Sequence, residues 1–369
     1  MVRHGAFAYT WDLVGDPSAG DRIASLGVDT VTLQAAYHSV RATTAWHPRH
    51  RVVHAEHAAA YFRVRPDRWT GRLRPPVPTW AVEDPDRFGT ASAALSAAGL
   101  RTEAWMVLTH SSILGRSVPE LTVQNAYGER FKHALCPAQA EVREYALTLV
   151  REVCEQYDVP ALMLEACGWL GFEHLGAHEK TSGADLSQCA RDLLSICVCA
   201  ACSPDEELGA RIRTLLDREL QDGVPAGDNL VDALGPDLAG ALFAHRTRVI
   251  GDLLRDITAL TGDRQILLMA TDDLQVTGPD VGVDVTSMSP TTYTLKCWDG
   301  SDTPVKAAAA RTDVPLVANV NAVGERPDEL PSLVGRLVAA GASEIRYYHA
   351  GLASPARQAA IRAAVQEVQ

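Results

Sequence analysis

Lysine is scarce in this chain, four residues against thirty arginines, and alanine is abundant. That imbalance reads as a coding-composition bias. Positive charge as a whole is in deficit, with Lys+Arg 34 against Asp+Glu 46 and a formal net charge of -12. Neutralising a phosphate backbone needs a clustered cationic face, and no Lys/Arg run supplies one, so nucleic acid is excluded as the main partner. No apolar run approaches the roughly 18 to 20 residues that cross a bilayer. The opening Met1-Val2-Arg3-His4 runs straight into a strand-like segment without a signal-peptide core. The expectation is a cytoplasmic protein with no membrane partner. Neither G-x-G-x-x-G nor a P-loop occurs, which removes the phosphate-cradling turn of a doubly wound nucleotide-binding sheet.

What is present is a recurring unit: an Ala/Leu-rich amphipathic helix, a Gly or Asp, then a short apolar strand ending in polar or aromatic residues. It recurs at Val31–Gln34, Ala104–Leu108, Leu162–Glu165, Ile266–Met269, Val283–Val285, Leu316–Asn319 and Ile345–Tyr348, and with Ala6–Tyr9 makes eight. Continuous apolar strands alternating with helices indicate a parallel sheet covered on both faces, and eight of them predict an α/β chain folded as one (β/α)8 barrel over residues 1–369. Two excursions, 35–80 after strand two and 168–237 after strand four, exceed what a barrel needs. Both follow strand C-termini, where barrel enzymes build their sites.

The first excursion is rich in Tyr, Trp, His and Arg, which suits stacking on sugar rings and bonding to their hydroxyls, and equally suits a small local core. Cysteine is the other surplus: eight residues, seven of them between Cys136 and Cys202. Structural disulfides are uncommon in a reducing compartment, so the spacing Cys197-x-Cys199-x-x-Cys202 points to thiolates around one tetrahedral ion. The fourth ligand is open between Cys136, Cys189 and a His.

His133-Ala-Leu-Cys136-Pro137, then Val142-Arg143, Tyr157, a fourth strand ending in Glu165, and the C-x-C-x-x-C motif together resemble family 42 β-galactosidases and related hypothetical glycosyl hydrolases of the same barrel clan. The resemblance covers 125–202 well and the remainder as barrel pattern. It implies a structural zinc on Cys136, Cys197, Cys199 and Cys202, and Glu165 as the acid/base of glycoside cleavage. The residues point the same way, since a carboxylate ending the apolar run Ala161-Leu162-Met163-Leu164 has no packing role there. At a barrel mouth, partial burial would raise its pKa toward that of a general acid.

Two departures stand out. Leu164 replaces the family's Asn, and the seventh strand ends in the amides Asn319 and Asn321 where the family carries its nucleophilic Glu. A retaining glycosidase needs a second carboxylate. Asp272 and Asp273, after the fifth strand, are the expected substitutes, with Glu325 a weaker one; Thr271-Asp272-Asp273 also reads as a helix cap. Sugar contacts are expected from strand-end residues Trp11, Asp12, Gln34, Tyr37, Trp105, His110, Asn319, Asn321, Tyr347 and His349. His174 and His178, at i and i+4, read as further contacts or as a second metal pair. The primary expectation is a carbohydrate-active, glycoside hydrolase-like enzyme acting on a carbohydrate or other polar small molecule. A sugar-directed lyase, isomerase or epimerase and a sugar-binding protein without turnover are the alternatives, and assembly into a homo-oligomer is compatible with the sequence.

Overall fold

A computed structural model describes residues 2–174, 180–203, 206–271, 273–275 and 277–368. Eight parallel strands form the barrel: β1 (Arg3–Ala8), β2 (Thr30–Tyr37), β3 (Arg101–Val107), β4 (Ala161–Glu165), β5 (Gln265–Ala270), β6 (Thr292–Lys296), β7 (Leu316–Asn321) and β8 (Ala342–Tyr348). They pair in chain order, and β1 bonds to both β2 and β8, which closes the sheet. Closure removes the edges that would otherwise leave unpaired backbone groups. Helices such as Arg87–Ala97, Ala140–Gln156, Pro236–Thr261, Leu330–Ala339 and Pro355–Glu367 cover the outside. None of the described helices is long and apolar enough to cross a membrane.

The sixth strand differs from expectation. Val283 and Val285 are buried, but within a turn-rich loop. Gly282 takes φ +88, and the Asp284 carboxylate accepts from Thr286 N at 3.0 Å and Ser287 Oγ at 2.8 Å. Local side-chain bonds of this kind compete with a strand ladder. The strand is instead β6, whose Thr-Tyr-Thr-Leu-Lys carries β-branched and aromatic residues that fit a pleated surface. Among the described residues between β5 and β6, 271, 273–275 and 277–291, there is no helix.

Side chains alternate along each strand, so one parity fills the barrel. Its lower half holds an ion-pair network that the apolar pattern did not suggest. The Arg346 side chain is 1% exposed. It donates to both oxygens of Glu103, to Glu344 and to Thr32 Oγ1, and Arg3 adds a bond to Glu344 at 3.1 Å. Gly5 makes room for it, because a Cβ there would stand 2.7 Å from Arg346 Cδ.

Three excursions rise from the C-terminal end. After β2, the hairpin Val40–Thr43/Val52–Ala55 is followed by Ala59–Ala60, which pairs antiparallel with the end of β2. After β3 comes an excursion that the sequence reading did not single out, with helix Ser112–Ser117 and hairpin Thr122–Gln124/Arg130–Leu135. After β4, helices Gln188–Leu194, Glu207–Asp222 and Leu230–Leu234 bury their own cluster around Leu193, Ile212, Leu216 and Leu230.

Candidate functional site

Glu165 is the last residue of β4, and register brings it level with Val107 of β3. Its inward parity puts the carboxylate at the mouth, half-buried. Trp105 Nε1, from the same inward row of β3, donates to Glu165 Oε2 at 2.6 Å. Burial, then the charge of Asp280, pushes the Glu165 carboxyl up to about 7; the Trp105 bond and Lys296 oppose this. Asp280 lies in the connection between β5 and β6. Burial raises its carboxyl to about 6 against the pull of Lys296. Asp280 and Lys296 line one cavity of about 200 Å3 with Thr271, Thr277 and Pro304.

Around Glu165 the mouth is aromatic. The Tyr9 hydroxyl meets those of Tyr37 at 3.3 Å and Tyr348 at 3.0 Å, and the Tyr37 ring packs edge-on against Trp105. Burial raises the pKa of all three phenols, so at neutral pH they bring hydroxyl donors without charge. Lys296 Nζ sits 4.4 Å from the ring centre of Trp298, which is 37% exposed and whose Nε1 donates to Asn319 Oδ1 at 3.4 Å. Imidazoles form another wall. The ring centres of His38 and His110 are 4.6 Å apart, and those of His110 and His174 are 4.8 Å apart. Burial first, then neighbouring imidazoles, lowers His110 to about 2 and His174 to about 4.

The structure brings Glu165, Tyr37, Trp105, His110, His174 and Asn319 together at this mouth. Trp11, Gln34 and His349 stand behind its surface, each 0% exposed. Asp12 is buried with them, its Oδ2 accepting from Tyr9 N at 2.8 Å and lying 3.7 Å from His349 Nδ1. Burial pushes Asp12 up to about 7. Asn321 Oδ1 closes a turn by accepting from Val323 N at 3.2 Å. Tyr347 falls on the wrong face: its hydroxyl bonds to His4 Nδ1 at 3.1 Å, outside the barrel lumen, while Tyr348 has the inward parity. Asp273 is exposed, and its carboxylate accepts from Gln275 N at 2.8 Å, a turn-capping role. Glu325 is exposed as well. Asp272 and His178 lie outside the described residues.

Sequence reasoning passed over Tyr9, Asp280, Lys296, Trp298 and Tyr348. The strand period could have selected Tyr348 over Tyr347; nothing in the pattern singles out Asp280, because a loop has no period. A cavity of about 500 Å3 at the opposite pole, lined by Arg3, Arg101, Glu103, Arg264 and Glu344, is larger but lies at the N-terminal ends of the strands. Barrel chemistry is built at the other end.

The cysteines converge as well. Cys136, after the β3 excursion's hairpin, meets Cys197, Cys199 and Cys202 of the β4 excursion, with all four sulfurs within 4.8 Å of one another. Cys136 Sγ is 3.9, 3.8 and 3.4 Å from the other three, and none is in a disulfide. Tetrahedral ligation at about 2.3 Å requires sulfurs about 3.8 Å apart. The cluster could therefore hold a metal ion. Trp169 Nε1, Gln139 Nε2 and Gln124 N donate to its sulfurs at 3.3, 3.5 and 3.4 Å, the outer-shell bonds that orient ligands.

No family model and no curated protein matches the chain. Solved structures do. The PgaB (BpsB) glycoside hydrolase domain from Bordetella bronchiseptica superposes with TM-score 0.58 at 16% identity, over 98% of each chain. The catalytic domain of β-amylase from Paenibacillus polymyxa gives 0.54 at 12%, over 96% of this chain and 94% of that one. A β-galactosidase from Rahnella sp. R3 gives 0.58 at 11%, over all of this chain and 55% of that one. The chain thus spans about half the galactosidase's length. At these identities the likeness is one of fold, the (β/α)8 barrel that this chain shares with those glycoside hydrolases.

Proposed function

We propose that the chain is a glycoside hydrolase-like enzyme in which Glu165 is the general acid/base and Asp280 the second carboxylate. The observation that carries this reading is Glu165 itself: half-buried at the end of β4, held by Trp105, and raised to about 7 by burial and by Asp280. A carboxyl near that value holds a proton to deliver to a glycosidic oxygen at neutral pH, while Asp280, nearer 6, is the one that stays ionised. Lys296 favours that ionised form. Asp280 then activates a water or attacks the anomeric carbon, according to whether the carboxyls are about 6.5–9.5 Å or about 5 Å apart. The tyrosine hydroxyls and Trp298 supply sugar contacts around the cleavage point. The anomer first released, followed by proton NMR on aryl glycosides, distinguishes the two courses.

The pH dependence follows in sign. Activity requires protonated Glu165 and ionised Asp280, so kcat/KM falls as pH rises above about 7 and as it falls below about 6. The profile is a narrow bell whose limbs belong to the coupled pair. A profile flat from pH 5 to 8 rejects this assignment. A sugar-binding protein without turnover is the second reading, favoured by amides Asn319 and Asn321 in place of a seventh-strand carboxylate. Under it, Glu165→Gln alters sugar affinity and no glycoside is cleaved.

Zinc is the ion we assign to the four cysteines, in a structural role, because four thiolates leave no open position. It would tie the β3 excursion to the β4 excursion above the mouth. Purified protein is expected to contain about one zinc per chain, and Cys199→Ser to lose it with a lower melting temperature. Metal analysis without zinc, together with unchanged melting of the variant, overturns the assignment.

A further inference from the structure

Glu165 and Asp280 come from different elements, and a short stretch of backbone after β4 joins them. The chain turns directly after Glu165, with Ala166 at φ +52, a conformation that alanine keeps only where its surroundings enforce it. Thr109, 1% exposed after β3, supplies the enforcement. Its N–H donates to the Ala166 carbonyl at 3.0 Å, and its hydroxyl lies 2.8 and 2.9 Å from the carbonyl oxygens of Ala166 and Gly168. Gly168, so held, touches both flanks of Asp280. Its N–H donates to the Pro279 carbonyl at 3.1 Å. On the other flank, a Cβ at 168 would stand 2.3 Å from the Val281 carbonyl oxygen and 2.9 Å from Val281 Cγ1. Gly168 is not one of the glycines with positive φ, so close approach alone requires glycine here.

Given the acid/base reading of Glu165 and Asp280, we infer that Gly168 is a positioning residue: it lets the backbone after β4 close on residues 279–281 and so sets the Asp280 carboxylate against Glu165. Cys167, beside it, lies within reach of both groups, since burial first and then the charges of Asp280 and Glu165 push its thiol up. A methyl group at 168 has backbone in its path, not the end of a flexible side chain, so residues 279–281 must move away from β4. Both influences that raise Glu165, its burial and the Asp280 charge, weaken as that segment retreats. The other groups facing Glu165 stand on barrel strands and stay in place: Trp105, whose Nε1 donates to it, the Tyr37 and Tyr348 phenols, and the opposing Lys296 charge.

Carbon-13 titration of the full chain, labelled at its glutamate carboxyls, reads the Glu165 midpoint without any substrate, and the signal lost in Glu165→Gln assigns it. Gly168→Ala is expected to lower that midpoint by about half a pH unit or more, in the direction of Asp280→Asn. It should lower it by less once Asp280→Asn is present, because the displaced group then carries no charge. Thr109→Val, which adds no bulk and loosens the grip on the Ala166 and Gly168 carbonyls, should behave in the same way, so the answer does not depend on Gly168→Ala folding. Gly171→Ala is the strain control: a Cβ there would meet Ser195 Cβ and Oγ at 2.4 Å, inside the β4 excursion and not against residues 279–281, and the midpoint should hold. A raised midpoint that Gly168→Ala and Thr109→Val leave unmoved, or a fall of the same size in Gly171→Ala or in the Asp280→Asn background, overturns the positioning role and leaves Glu165 as the acid/base. Titration of Glu165 near 4.5 in the unmodified protein overturns the acid/base reading, and the positioning role with it.

Discussion

Glu165→Gln lowers kcat/KM toward a cleaved glycoside by roughly 10^2- to 10^4-fold, the usual contribution of a positioned general acid. Glutamine keeps an oxygen to accept from Trp105 Nε1 and removes the proton, so the loss falls on kcat far more than on KM. The same variant carries an opposite prediction for stability. Glu165 has a folded pKa of about 7 against an ordinary 4.5, the reverse of the usual paired carboxylate. Between those values the folded state binds more protons than the unfolded one, so stability falls as pH rises through that window. Glutamine carries no such charge and removes this pH dependence. Glu165→Gln is therefore expected to melt higher than wild type above pH 7 and to converge with it near pH 4. An active variant, or one melting lower at pH 8, rejects the role given to this carboxyl.

The second large effect is structural. Arg346→Ala leaves Glu103 and Glu344 facing each other inside the lower barrel, 6% and 4% exposed, without the guanidinium between them. Removing one partner of a buried ion pair costs about 3–5 kcal/mol, because the remaining charge is stranded. A denaturant midpoint shifted by that amount at pH 7 is the expected result. Arg346→Met combined with Glu103→Leu and Glu344→Leu should recover much of it, since apolar groups of similar volume carry no desolvation cost. Loss below about 1 kcal/mol in Arg346→Ala would mean that the network adds little to stability.

The legible parts of this molecule were those written in a period. Seven of the eight strands follow from apolar runs, because burial on both faces demands them. The sixth escaped because Val283 and Val285 are as apolar as a strand, while Asp284 and Gly282 bend the chain into turns. The excursion after β3 escaped because its short hairpin and helix carry no long repeat.

Sequence alone determined that this chain is an α/β barrel, that Glu165 ends a strand with no packing reason to be acidic, and that Cys197, Cys199 and Cys202 have metal-ligand spacing. Those conclusions depend on neighbours along the chain, where strand alternation and ligand spacing act. Tertiary structure decided the rest: that Asp280 rather than Asp273 acts on Glu165, that Tyr348 rather than Tyr347 faces the mouth, and that Arg346 pairs inside the barrel. Each of these depends on groups far apart in sequence, brought together by barrel closure and by loop paths that no periodicity encodes. Lys296, one of four lysines, is likewise placed by tertiary structure, where its charge favours the ionised form of both carboxylates.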